Sequence, residues 1–206
     1  MQIDIISSTR RDAIIAAHLR EYLPSLELTE MSARRWVDGS VPPVRRLFEM
    51  QLLKGAAMQA CWGFSLDFVP HVSAGRVKWH RSDKTARFDI GYYGQSCHLV
   101  SPSFLYGPIC LAEDLRKLLP QVVVLAQETW KRDATFDRMY EIVREKRAQY
   151  IKCWLCDDSP VYAFLAAKTG DFETSKKEID HYIKWHDLDE EEEAKLRKSL
   201  RDYAGV

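Results

Sequence analysis

No run of apolar residues in this 206-residue chain approaches the roughly 20 that a membrane-spanning helix requires. No membrane partner is therefore expected. The opening residues, MQIDIISSTRRD, lack the basic-then-apolar order of a secretory leader. Net charge is also missing, since 30 Lys and Arg balance 30 Asp and Glu. The first hundred residues hold 13 basic and 10 acidic side chains, an excess too small to attract a polyanion. No nucleic-acid partner is expected on that ground. Cysteine is sparse, with five residues at positions 61, 97, 110, 153 and 156 and no framework spacing. Reduced thiols in a cytoplasmic protein follow from that count. A G-x-S-x-G nucleophile turn is absent, and Gly91 and Gly94 flank Tyr92-Tyr93 with no Lys-Ser behind them to hold a phosphate.

What is present is a stretch of period-two alternation from Cys61 to Ile90. Trp62, Phe64, Leu66 and Phe68 share one parity, and Gly63, Ser65, Asp67 and Val69 the other. Pro70 to Gly75 reads as a loop. Arg76–Arg81 alternates again, with Val77 and Trp79 apolar, and Thr85–Ile90 sets Ala86, Phe88 and Ile90 against Thr85, Arg87 and Asp89. Three antiparallel strands are expected, with Trp62, Phe64, Leu66, Phe68, Trp79 and Phe88 in the core. A six-residue loop places Asp67 opposite Lys78 and Ser65 opposite His80. A turn at Ser82-Asp83 places Arg76 opposite Asp89 and Lys78 opposite Arg87. Both closures keep the apolar residues on one side, which a one-residue slip would not do. The polar side then becomes a grid of Asp67, Arg76, Lys78, His80, Arg87 and Asp89, with Ser65 and Thr85 beside them.

Elsewhere the spacing predicts helices. One runs from Arg10 to Leu23 behind Ser8 and Thr9 and ends at Pro24. Residues 25–41 read as a connection whose Trp36 packs on the core. Pro42-Pro43 opens a second helix with Val44, Leu47, Phe48 and Leu52 as its stripe. A further strand is expected at His98–Val100. Leu111–Leu119 is helical with a kink or break at Pro120, and Gln121–Trp130 is read as helix on its three-to-four spacing. A long helix starts after Thr135 and carries Phe136, Met139, Tyr140, Val143, Tyr150, Ile151, Trp154 and Leu155 on one face. Ser159–Lys168 and Asp171–Trp185 form a helical hairpin closed by Thr169-Gly170, in which Ala163, Ala166 and Ala167 allow close approach. The run Glu190–Glu193 opens the last helix and Lys195, Arg197, Lys198 and Arg201 follow, the order that the helix dipole favours. The acidic run is thus a helix start rather than a binding tail.

The fold class expected is α+β: a small antiparallel β-meander covered by helices on one face, with a C-terminal helical bundle. Residues 1–134 would hold the sheet and 135–206 the bundle.

Cys153-Trp154-Leu155-Cys156 has the spacing of a redox or zinc pair. It falls at the end of a helix, where the dipole disfavours thiolate, and has no second close pair to complete four zinc ligands; Cys97, His98 and Cys110 are not spaced for it. No metal or other cofactor is expected, and no disulfide between Cys153 and Cys156. Asp67, His80 and Asp89 have the chemistry of an acid–base or metal cluster. A restriction-type nuclease would need acid-x-Lys on the second strand, where this chain has Arg76-Val77-Lys78. Cross-strand ion pairs on a wet sheet face account for the same residues. His71 lies at the rim. Arg34, Arg35, Arg45 and Arg46 flank Trp36, but Glu30, Asp38 and Glu49 dilute their field. The leading expectation is a non-enzymatic protein-binding module of an inhibitor or immunity type, with the grid or the acidic C-terminal helices as contact. The alternative is a hydrolase or nuclease centred on Asp67, His80 and Asp89.

Overall fold

In the computed structural model the residues described are 6–40, 42–53, 58–93, 100–101, 107–150 and 159–204. The protein is α+β, as the alternating and three-to-four patterns require. Its contacts divide it into two compact units. Unit 1 is Met1–Ser65 with Ala86–Arg132, and unit 2 is Leu66–Thr85 with Asp133–Val206. Unit 2 thus takes in residues 66–85 as well as the C-terminal residues from Asp133. No helix among the described residues is long and apolar enough to cross a membrane.

Unit 1 begins with helix α1 (Ser8–Tyr22), whose N-cap is Ser7; its hydroxyl accepts the Arg10 N–H. A 3-10 turn, Leu23–Leu26, follows and ends at Glu27. The expected connection then turns out to hold two strands, β1 (Thr29–Ser32) and β2 (Arg35–Asp38). The expected second helix is a strand as well, β3 (Val44–Leu52). The correction has a physical cause. Trp36 pairs with Phe48 and Val37 with Leu47, so β3 is covered on both faces and its adjacent apolar residues imitate a helical stripe. Met31, Ala86 and Phe88 pack against Val37 and Leu47, while Arg46 lies over the ring of Trp130 on the opposite side.

Strand β4 (Met58–Leu66) is buried along its whole length. It pairs with β7 (Ile90–Tyr93) and at its start with β8 (Val100–Ser101), giving the order β1-β2-β3-β4-β7. The Val100 end of the expected fourth strand is therefore found, and His98 lies outside the described residues. Gly63 faces Gly91 in that register, and a Cβ on Gly63 would run into the Ile90 carbonyl. Only glycine fits so close an approach. Thr85–Ile90 is not the strand expected: Arg87 N–H donates to Ser65 Oγ and Asp89 N–H to the Phe64 carbonyl, and pairing begins at Ile90.

Helix α2 (Pro108–Arg132) continues through Pro120, so the helix is not broken there. Leu115, Leu118, Leu119, Val122, Val123 and Ala126 form one buried stripe across the proline, and that continuous burial holds the helix together. Its last turn is tied to β4: Trp62 Nε1 donates to Thr129 Oγ1 at 3.1 Å, and Trp130 Nε1 to the Gly63 carbonyl at 3.0 Å.

Unit 2 contains a two-stranded hairpin, β5 (Pro70–Ser73) and β6 (Arg76–Trp79), and helices α3 (Phe136–Tyr150), α4 (Ser159–Lys168), α5 (Phe172–His186) and α6 (Glu190–Ala204). α4 is buried on all sides, as its composition demands. It packs most closely on α5, and its small residues Ala163, Ala166 and Ala167 are buried. Gly170, with φ 86°, closes α4, and Asp171 caps α5 by accepting the Thr174 N–H at 3.1 Å. Positions 151 and 153–156, with the Cys153–Cys156 pair, lie outside the described residues, as does Cys97.

Candidate functional site

The polar grid does not exist as one sheet face. Among the described residues β6 pairs with β5 alone, in the register His71↔Lys78, Val72↔Val77 and Ser73↔Arg76, across a two-residue turn of Ala74 and Gly75 with φ 53° and 71°. Such a turn matches the natural twist of a hairpin, and its positive φ values need the glycine that the sequence supplies. The expected six-residue loop is thus mostly strand. Asp67 is not opposite Lys78, because it lies in the turn after β4. Arg76 is not opposite Asp89, nor Lys78 opposite Arg87, because Arg87 and Asp89 belong to unit 1 and lead into β7.

Burial changes the grid further. His80 is 1% exposed, Ser65 0% and Asp67 9%. The Asp89 carboxylate is fully covered, with Oδ1 at 3.5 Å from Nε of Arg87. Alternation assigns these residues to water, whereas the fold covers them. The expected core residues Trp62, Phe64, Leu66 and Phe68 are buried, whereas Trp79 and Phe88 are only partly so.

Four residues of the hairpin do share a polar face: His71, Ser73, Arg76 and Lys78. Arg76 and Lys78 are exposed, and Lys78 Nζ reaches Ser73 Oγ at 3.4 Å. His71 and His80 bring their Nδ1 atoms to 3.4 Å. Arg81 lies over the Trp79 ring at 5.0 Å and donates from Nε to the Asp67 carbonyl at 3.0 Å.

The hairpin's outer edges are not left open. On one edge the Val72 N–H donates to the Tyr182 hydroxyl at 2.9 Å; on the other the Val77 N–H donates to Glu192 Oε2 at 2.7 Å. Glu192 also accepts from Lys195 at 2.8 Å, and its own N–H donates to Asp189 Oδ1. The Lys195 ammonium first, and the Val77 N–H second, hold its carboxyl below the usual range. Glu191, Glu192 and Glu193 of the acidic run are therefore engaged inside their own unit, with Glu193 paired to Arg197 and Glu191 to Lys195. Nothing in the spacing of Glu192 alone could have shown that it caps a strand edge 115 residues away.

Cys61, buried beside Gln59, has its thiol pushed up to about 12 by that burial and is no thiolate at neutral pH. Among the described residues no three or more His, Cys, Asp or Glu side chains converge as metal ligands would. No protein-family model, curated protein or solved structure matches the chain.

Proposed function

We propose that the chain is a non-enzymatic protein-binding module, of the kind that inhibits or neutralises its partner, and that the β5–β6 hairpin presents the contact. The observation that carries this reading is the clamping of both hairpin edges by Tyr182 and Glu192. A two-stranded ribbon is marginal by itself in water; anchored at both edges it becomes a rigid platform, and it does not offer those N–H groups for strand addition. Its free side carries Arg76 and Lys78, with no carboxylate among the four residues of that face. The partner that fits is a protein with an acidic surface, and such charges act mainly on association rate and salt dependence.

The test is affinity capture from the native host with the wild type and with Arg76→Glu/Lys78→Glu, at low and moderate salt. The reversal should abolish capture while its thermal melt stays within about 0.5 kcal/mol of wild type, as surface changes do. Rising salt should weaken the wild-type complex. Retention of the same partner by the double reversal defeats the reading. The hydrolytic alternative draws on the close His71–His80 pair. Turnover of an ester or phosphodiester that disappears in His71→Ala, with capture unaffected, would favour it instead.

A further inference from the structure

Unit 1 carries a cleft of about 240 Å³ between the 3-10 turn, β3 and the end of α2, lined by Ser25, Glu27, Arg46, Gln127, Trp130 and Lys131. The guanidinium of Arg46 is held from behind. Its Nε and Nη2 donate to Asp38 Oδ2 at 2.7 and 2.6 Å, and that carboxylate is itself only 7% exposed and accepts the Ser40 N–H at 2.9 Å. Arg46 Cζ also lies 5.6 Å from the centroid of Trp130, whose indole is pinned on the Gly63 carbonyl. A cation fixed in this way pays little ordering entropy when a ligand arrives.

The open side has donors to spare. Arg46 Nη1, Lys131 Nζ and the Gln127 amide have no hydrogen-bond partner among the described residues. One anion already stands at the mouth: Glu27 Oε2 is 3.5 Å from Arg46 Nη2, on a side chain 84% exposed. The left-handed backbone of Glu27, φ 61° and ψ 26°, aims it there. An ion pair so exposed contributes little and is easily displaced.

We infer that this cleft binds a small carboxylic acid, whose carboxylate takes the place of the Glu27 side chain and is held by Arg46 and Lys131. Two oxygens in a plane match the free edge of a guanidinium. The volume suits a ligand of a few carbon atoms, below the usual size of a drug-like pocket. The charge is balanced locally, with Asp38 offsetting Arg46, so one incoming carboxylate meets the net charge left by Lys131 once Glu27 swings out.

The test is calorimetric titration of the full chain with succinate, and separately with inorganic phosphate, at constant ionic strength. Arg46 is left intact, because its removal would strand the buried Asp38 carboxylate and threaten the fold. Lys131→Glu, at an exposed position, should weaken succinate by about tenfold, the loss of one charge-assisted contact. Glu27→Asn removes the competing carboxylate while keeping a residue at ease in the left-handed region, and should tighten succinate by roughly two- to fivefold. Three results would each overturn the inference: no saturable binding at about 10 mM in both wild type and Glu27→Asn, an affinity indifferent to Lys131→Glu, or phosphate bound more tightly than succinate.

Discussion

Asp38 ends β2 with a nearly covered carboxylate, and its charge survives there because of its neighbours. Burial pushes its pKa upward, but the Ser40 hydroxyl and N–H and the Arg46 guanidinium outweigh that, leaving it below the usual carboxylate range. Its folded pKa is thus below its unfolded one. The stabilisation is present above the unfolded value and is lost as pH falls through the folded one. Asp38→Asn should cost about 1–3 kcal/mol at neutral pH, and the gap from wild type should shrink as pH falls below the unfolded carboxylate value of about 3.9. Denaturant melts from neutral to acid pH check this; a gap that is flat with pH would mean that charge is not what Asp38 contributes. At the same scale, Ser65 and His80 show the limit of parity. Alternation assigns both to water, yet Ser65 is 0% and His80 1% exposed, because cover depends on what packs on a residue.

Among the elements, α2 and β3 depart furthest from what local pattern predicts. A proline in mid-helix removes one hydrogen bond and crowds the preceding turn. Pro120 is exposed, while Leu118, Leu119, Val122 and Val123 around it are buried, so packing carries the helix across the fault. Pro120→Ala should therefore raise stability by on the order of 1–3 kcal/mol in denaturant melts. An unchanged or lower midpoint would show that the helix has adapted to its proline. β3 errs in the opposite sense, since Val44, Leu47, Phe48 and Leu52 satisfy a helical template, yet pairing with β2 makes them strand. A nine-residue segment cannot record in its own sequence that a partner strand lies ready on either side of it.

At the scale of the whole molecule, the chain enters unit 2 twice, first at Leu66 and again at Asp133. Phe68 ties the early excursion to the late helices: its ring stacks on Tyr203 at 3.9 Å and meets Phe136 edge-on at 5.6 Å. Phe68→Ala should cost about 3–5 kcal/mol. It should also speed hydrogen exchange at Val72 and Val77, the amides that clamp the hairpin. Exchange at those amides equal to wild type would show that the hairpin is held by its edge bonds alone.

The sequence by itself determined the elements whose periodicity is regular or whose ends are marked. Those are α1, capped by Ser7 and not by the expected Ser8 or Thr9, the α4–α5 hairpin with Gly170 and Asp171 at its corner, α6 with its acidic start, and the strand β4. It also put Arg76 and Lys78 on one polar face, which the hairpin keeps. Only the tertiary structure decided that Arg87 and Asp89 leave that face, that Glu192 and Tyr182 close the hairpin's edges, and that Arg46 meets Trp130 in a cleft. The physical reason is range. Caps and periodicities act within a turn or two of chain, whereas strand partners, edge bonds and clefts are set by contacts between residues far apart in sequence, which no local pattern encodes.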